Sequence, residues 1–494
     1  MHSLFSIVNP NRIHLIIAGM LSGREKANFL DQTTVLCYLR NVMTRKKQQA
    51  LTVGFIALGC AKNTVDSERM LAEIAQASLL IVAEPDNPAD WQADVVVINT
   101  CGFIAPAVSE SLDVIRHCTD CKVTGKVGAV IVTGCMAQRF GADLFDMVDG
   151  IDAVVGLGHR DEIAKIIQNV AASGRGGCYV DQPVASVGDD RVRLRINAQH
   201  WAYLRISEGC DHCCSFCTIP SIRGRFRSKS AETVLDEACE LVESGVVELN
   251  LIGQDTTYYG RDRREPDALA ALLGRLERIE GIQWIRLLYA YPTGISDRLI
   301  ATMRDSDRIV HYLDMPLQHI SDRLLKAMRR PDTKAEIAGL IERLRNAMPD
   351  IVLRTTLIVG FPGETQADFE ELVEFVQWAQ FDALGCFKYY PESGTKAAEM
   401  PNQIAESVKD ERLDVLMRTQ QEIAFARNAE RLGRTLRCMV DWTDGEGTGV
   451  GRHYGQAPEV DSVCSIIHCL GSPGDVVEAK VVETEDYDLI VEQI

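Results

Sequence analysis

Between residues 51 and 170, near-continuous apolar runs alternate with amphipathic stretches. The runs at 52–58, 93–99 and 129–133 predict parallel strands buried on both faces. Helical periodicity at 67–80 and 105–117 falls between them, which predicts βαβ units and a parallel α/β sheet. Each run ends on a cysteine: Cys60 after Gly59, Cys101 after Thr100, Cys135 after Gly134. Ligands of open α/β sheets sit at the carboxyl edge of the strands, so these three thiols are expected at one site. Cys118 and Cys121 have the spacing of a redox pair and are read as lying just past the second helix.

A Gly-, Ser-, Pro- and Asp-containing stretch at 171–195 reads as a linker. From 196 to 429 the pattern repeats as six strand-then-helix units, with strands at 202–207, 246–252, 284–290, 309–314, 352–359 and 382–389. Helical patterns at 231–244, 321–330, 333–348 and 366–380 alternate with them, and a long polar helix at 405–432 closes the region. Six such units predict an incomplete parallel (βα)6 barrel with its chemistry at the C-terminal mouth. The last stretch, 430–494, turns to short β-rich runs at 435–440, 463–468, 476–483 and 489–491 between Gly- and Asp-rich turns, the pattern of a small all-β barrel. Residues 1–50 show no sustained period and end in the basic run Arg45–Lys46–Lys47; with Met43 just before it, they read as an extension or as a start assigned too far upstream.

At 494 residues the chain exceeds one hydrophobic core. Its 46% apolar and 25% charged residues exclude collagenous and wholly disordered classes. The balance of 52 basic against 70 acidic residues, net −18, speaks against nucleic-acid binding through the overall field. The acid excess is concentrated in 434–494, with 4 basic and 12 acidic residues, whereas 191–229 runs the other way with 8 basic and 2 acidic. Sixteen cysteines, with four of them between Cys210 and Cys217, suit metal ligation in a reducing cytosol better than a secreted disulfide scaffold. No run approaches the ~18 apolar residues of a membrane helix, so a cytoplasmic location is expected.

Cys210, Cys214 and Cys217 form a C-x3-C-x2-C motif directly after the first barrel strand. Structural zinc wants four ligands, commonly in two separated pairs. Three thiolates on one loop suit a cubane iron–sulfur cluster, in which one iron stays open to an exogenous molecule. Cys213 is read as a spectator. On a six-unit partial barrel, this motif resembles the radical S-adenosylmethionine superfamily. The resemblance implies that S-adenosylmethionine chelates the open iron of a 4Fe-4S cluster and is cleaved to a 5′-deoxyadenosyl radical. The order of the three regions then resembles the methylthiotransferases across about 51–494, the last region being an OB-like, TRAM-type barrel. The motifs LGCAKNTVDSE, INTCGFI and VTGCMAQ imply a second 4Fe-4S cluster on Cys60, Cys101 and Cys135. In that family Gly360, Gly363 and Glu364 of IVGFPGE stand where the adenosine is contacted, although a strand-to-helix turn explains these glycines equally well. Gln254 and Asp255, after the second barrel strand, are further candidates for the cofactor's polar groups.

SEGCDHCCSFCTIPSIRGRFRS, YLDMPLQH, TTLIVGFPGET and GCFKYYPESGT are similar to the branch that modifies an aspartate of ribosomal protein S12, rather than a transfer-RNA adenosine. The implied reaction inserts a methylthio group at the aspartate β-carbon. The adenosyl radical takes a hydrogen there, the second cluster supplies the methylated sulfur, and an electron donor such as flavodoxin or ferredoxin starts the cycle. The acidic last region suits docking on a basic ribosomal protein, so direct nucleic-acid binding is not required. The alternatives are methylthiolation of tRNA at adenosine C2 and a non-catalytic iron–sulfur protein on the ribosome.

Overall fold

The computed structural model describes residues 50–85, 90–174, 176–183 and 187–494, so the reading of 1–50 as an extension lies, but for Ala50, outside the described residues. The chain forms two compact units. The first comprises the described residues up to Gly102, together with Pro106–Asp181 and Val192–Ile196. The second comprises Phe103–Ala105, the described part of Gln182–Arg191, and Asn197–Ile494.

The first unit is a six-stranded parallel sheet built from β1 (Thr52–Ala57), β2 (Leu80–Val82), β3 (Ala93–Thr100), β4 (Val127–Gly134), β5 (Ala153–Val155) and β6 (Cys178–Tyr179). Their order is β2-β1-β3-β4-β5-β6. β3 and β4 are buried at seven of eight positions each, as expected for strands covered on both faces. The first helix runs Ala61–Gln76 rather than over 67–80. It starts directly after Cys60, and Leu80 belongs instead to the edge strand β2, because an apolar residue past the helix end fits an edge strand as well as a helix face. Cys118 and Cys121 do not lie past a helix but within the last turns of Ala105–Val123. They are three residues apart, and both are buried against the sheet. The stretch read as a linker contributes β6, which pairs with β5.

The second unit holds six parallel strands, β7 (Trp201–Arg205), β10 (Glu248–Ile252), β11 (Trp284–Leu287), β12 (Ile309–Asp314), β13 (Val352–Val359) and β14 (Ala383–Lys388). They lie in the order β14-β13-β12-β11-β10-β7, the open (βα)6 arrangement. A short antiparallel pair, β8 (Ser207–Glu208) and β9 (Arg227–Ser228), flanks the cysteine loop that follows β7. The long helix Glu406–Ala429 ends this region. A closed five-stranded barrel follows: β15 (Thr435–Thr443), β16 (Thr448–His453), β17 (Cys464–Ile467), β18 (Val476–Glu485) and β19 (Asp488–Gln493). β16 went unseen in the sequence because TGVGRH carries two glycines and no apolar alternation. No helix among the described residues is long and apolar enough to cross a membrane.

Between the two barrels of this unit lies a buried ionic cluster. Arg286 on β11 donates to Glu248 (3.1 Å) and to the Tyr454 carbonyl, and stacks 4.5 Å above the Tyr312 ring. Arg452 on β16 pairs with Glu248 (2.8 Å) and Asp441 (2.8 Å), while His200 also reaches Asp441 (2.7 Å). Asp461 accepts from Tyr312 and Arg354. Acidic residues of the last region are therefore partly spent inside the protein.

His453 sits in the same buried zone, its Nδ1 accepting from the Gly455 N–H. Burial, then Arg431 and Arg286, push its pKa from 6.5 down to about 3. Between those values the unfolded chain carries a proton that the folded one refuses. Stability is therefore expected to fall as pH drops through this window, by at most about 1.4 kcal/mol per pH unit. Denaturant titrations at stepped pH should show the slope. His453→Asn, which keeps an acceptor but cannot titrate, should flatten it; an unchanged slope in that variant would refute the assignment.

Candidate active site

The register of the first sheet sets three strand ends at one level. Ala57 pairs with Asn99, and Asn99 with Thr133, so the chain leaves β1, β3 and β4 together. Cys60 is the N-cap of the first helix, Cys101 follows β3, and Cys135 opens the short helix Cys135–Phe140. Two glycines permit the crowding. A side chain on Gly59 (φ +103°) would meet Cys101 Cβ at 3.2 Å, and one on Gly134 (φ +95°) would meet Asn99 Oδ1 at 2.3 Å.

In the second unit the loop after β8 carries the other trio. Gly209 takes φ +74° with the Arg225 carbonyl 2.3 Å from where a Cβ would stand, so the loop turns in tightly, and Cys210 N–H donates to the Gly224 carbonyl. Ser215 anchors it: its N–H donates to Met328 O (3.0 Å), its hydroxyl to Ala327 O (2.9 Å), and its carbonyl accepts from Ala397 N–H (2.8 Å). Burial raises the Cys210 thiol to about 12, with the charge of Cys214 adding to it. Burial also raises Cys217, and it feels both Cys214 and Cys210, which places the three sulfurs near one another. Burial raises Cys214 too, opposed by the nearby Arg330 guanidinium. Cys213 points to solvent. All fifteen described cysteines are free thiols.

Several residues around this trio escaped the sequence reading. Arg330 stacks 4.0 Å above the Tyr291 ring, which stacks in turn on His212 (4.1 Å, 12° between planes). His212 Nε2 meets Asp255 Oδ2 at 2.7 Å. The Tyr291 hydroxyl and Gln254 Oε1 are buried with no hydrogen-bond partner among the described residues, while Arg330 Nε faces Asp332 Oδ2 as an ion pair at 3.8 Å, too long for a hydrogen bond. Each such atom costs about 1–3 kcal/mol unless something polar meets it. Gln254 apart, these residues had no signal in the sequence, since His212, Tyr291, and Arg330 with Asp332 come from three different loops.

The remaining candidates divide. Gln254 donates to Glu208 Oε1 (2.8 Å), leaving its own oxygen unpaired. Asp255 is 2% exposed and spends its carboxylate on Thr257, Tyr258 and His212, so it orients the ring stack rather than facing an open space. Gly360 (φ +75°) makes room for the Lys409 stem, which would lie 2.3 Å from a Cβ. Gly363 (φ +79°) is open on its Cβ side, apart from Arg323 at 3.8 Å. Glu364 is buried, accepts from Gly360 N–H, and pairs with Arg412 at 3.2 Å. The basic stretch 191–229 divides: Arg191, Arg225 and Arg227 are exposed, whereas three of its cations are internal. Arg205 and Arg223 bind Glu208, while Lys229 binds Asp190 and Glu237, all at most 5% exposed.

Residues 204–376 match the model of the radical SAM superfamily, 432–494 that of the TRAM domain, and 52–156 that of the uncharacterized protein family UPF0004. Over 444 residues the chain is 43% identical to the ribosomal protein uS12 methylthiotransferase RimO of Geobacter sulfurreducens, covering 90% of this chain and 98% of that protein. It is 41% identical over 457 residues to the protein of the same name from Bdellovibrio bacteriovorus, covering 91% and 99%. The chain belongs to the ribosomal protein uS12 methylthiotransferase family. As a member of that family it is a transferase with a radical SAM domain. Its architecture is similar to the radical S-adenosylmethionine methyltransferase TsrM of Kitasatospora setae (TM-score 0.51, 14% identity, 71% of this chain and 77% of that one), which shows the fold alone.

The second-unit trio fits the 4Fe-4S cluster and S-adenosylmethionine of a radical SAM methylthiotransferase. Three soft donors are gathered where ionising them bare is costly, and the unpaired Tyr291 hydroxyl and the Arg330–Asp332 ion pair stand beside them. Among the described residues, no three His, Cys, Asp or Glu side chains converge tightly enough for one metal ion. A cubane puts each thiolate on a different iron and asks for wider spacing. Arg330→Gln, which removes the positive charge beside Cys214, is expected to shift the reduction potential of a cluster held there to more negative values. Redox titration followed by electron paramagnetic resonance reads this; an unchanged potential would exclude Arg330 from tuning it.

Proposed function

We propose that this methylthiotransferase inserts a methylthio group at the β-carbon of an aspartate of ribosomal protein uS12, using two 4Fe-4S clusters and S-adenosylmethionine. Cys210, Cys214 and Cys217 hold one cluster, and Cys60, Cys101 and Cys135 hold the other. The observation that carries the reading is that each trio is delivered to one edge of its own parallel sheet, by register in the first unit and by the Ser215-anchored loop in the second. Bound at the second-unit trio, cluster and cofactor supply the radical that takes a hydrogen from an unactivated C–H bond, which no side chain is basic enough to remove as a proton. The chain's own residues orient and seclude. Gln254 and Tyr291 offer unpaired polar atoms to the cofactor, Arg330 sets its charge beside Cys214, Asp255 holds His212 against Tyr291, and the open Cβ side of Gly363 leaves room for its adenosine. An electron donor of the flavodoxin or ferredoxin class supplies the electron.

Support for a protein substrate rather than tRNA comes from the charges. Arg205, Arg223 and Lys229 are bound to carboxylates and are not free to meet phosphate, whose neutralisation dominates nucleic-acid affinity; Arg191, Arg225 and Arg227 stay exposed, the first two beside Asp189 and Asp211. The test is a strain lacking this protein. Loss of the methylthio mass from uS12, with tRNA unchanged, is the expected result. Loss from tRNA adenosine with uS12 intact would overturn the substrate assignment, and absence of 5′-deoxyadenosine from the reduced, reconstituted enzyme would overturn the reaction.

A further inference from the structure

We infer that Asn63 is the positioning residue that sets the spacing of the three first-unit cysteines for cluster capture, an inference that rests on the two-cluster reading. Asn63 is 1% exposed, in the first turn of the helix capped by Cys60. Its Nδ2 donates to the Leu58 carbonyl and to the Thr100 carbonyl, each at 3.0 Å. Its Oδ1 accepts from the Cys135 thiol at 3.4 Å. With the Cys135 thiol protonated, one planar amide therefore binds the chain just before Cys60, the chain just before Cys101, and Cys135 itself; once Cys135 gives up its proton to bind iron, the two carbonyl bonds remain.

The register of β1, β3 and β4 brings the three strand ends level, but every cysteine lies beyond the last paired residue of the β1–β3 and β3–β4 ladders. Spacing there has to come from a tie across the loops. A primary amide offers two donors on one atom and an acceptor on the other, in fixed geometry. Aspartate keeps the shape but loses both donors and sets a charge against two carbonyls and a thiolate. Glutamine adds a methylene where there is no space, since a Cβ on Gly59 would already meet Nδ2 at 2.8 Å. Asn63 is itself braced: its carbonyl accepts from Asn99 Nδ2 (3.0 Å), which also donates to Ser67 Oγ (2.8 Å). Ser67 thus belongs to the same strut without contacting a cysteine loop through this bond, which makes it the control.

The experiment uses the full chain with Cys210, Cys214 and Cys217 all replaced by alanine, so that only the first-unit trio takes up iron. Anaerobic reconstitution of this parent should give about four irons per chain. Adding Asn63→Ala or Asn63→Asp should speed iron release to a chelator about tenfold or more. Adding Ser67→Ala should leave release at the parental rate while lowering the melting temperature of the iron-free protein. Asn63 variants that hold iron like the parent overturn the inference alone. So does iron loss that simply follows iron-free melting temperature across all three variants, which would make Asn63 a folding tie. A parent that takes up no iron overturns the two-cluster reading, and the inference with it.

Discussion

Replacing Cys101 by alanine is expected to bring methylthio gain on uS12 down to background, a loss of about 100-fold or more, while the reduced enzyme still forms 5′-deoxyadenosine. Cys217→Ala should abolish both. The two variants separate the two trios by chemistry. Cys217 lies in the second unit, where its sulfur feels Cys214 and Cys210 and where the unpaired Tyr291 hydroxyl and the Arg330–Asp332 ion pair stand. Without it the trio is reduced to Cys210 and Cys214, Cys213 being exposed, and cleavage of the cofactor has no electron path. Cys101 lies at the end of β3 in the first unit, so its loss leaves the cleavage site whole. Iron should fall from about eight to about four per chain in either variant, since each 4Fe-4S cluster needs its thiolates. Mass spectrometry of uS12 and chromatography of the nucleoside measure the two outputs. If the Cys101 variant stops making 5′-deoxyadenosine, the division of labour is wrong; if it still modifies uS12 at the normal rate, the first-unit trio plays no part in sulfur insertion.

How much of this was legible in the sequence follows from how local each signal is. Strands buried on both faces announce themselves as unbroken apolar runs, so β3, β4, β12 and β13 stand within two residues of where 93–99, 129–133, 309–314 and 352–359 put them. The cysteines were legible for the same reason, being residues of one type at the ends of recognisable strands. The polar surroundings were not. Arg330, Tyr291 and His212 meet by stacking across three loops, and no spacing announces a stack. Charge was only partly legible: of the eight basic residues in 191–229, Arg191, Arg225 and Arg227 are exposed, while Arg205, Arg223 and Lys229 face carboxylates inside the fold. Composition counts charges without saying which way they point. The family resemblance supplied an expectation that the local signals could not, namely that two trios far apart in the sequence would serve one reaction.

Arg452→Leu is expected to destabilise the second unit by about 3–5 kcal/mol, the usual cost of orphaning a buried charge. Arg452 is 2% exposed and divides its guanidinium between Glu248, which is fully buried, and Asp441. Burial alone would raise the Asp441 pKa, but Arg452 and His200 hold it down to about 2. A depressed carboxylate contributes stability above its unfolded value near 3.8 and loses it as pH falls towards 2, so this contribution is fully present at neutral pH. Leucine matches much of the arginine stem but leaves Glu248 to Arg286 alone and Asp441 to His200 alone. The cost should therefore shrink when Glu248→Gln is added, because the amide removes the worse of the two unpaired charges. Denaturant unfolding of the full chain, with limited proteolysis to locate the weakened region, measures both steps. A single variant within about 1 kcal/mol of the parent would show that water or a shifted side chain replaces the guanidinium. A double variant less stable than the single would show that Glu248 is needed by Arg286 more than it is harmed by the loss of Arg452.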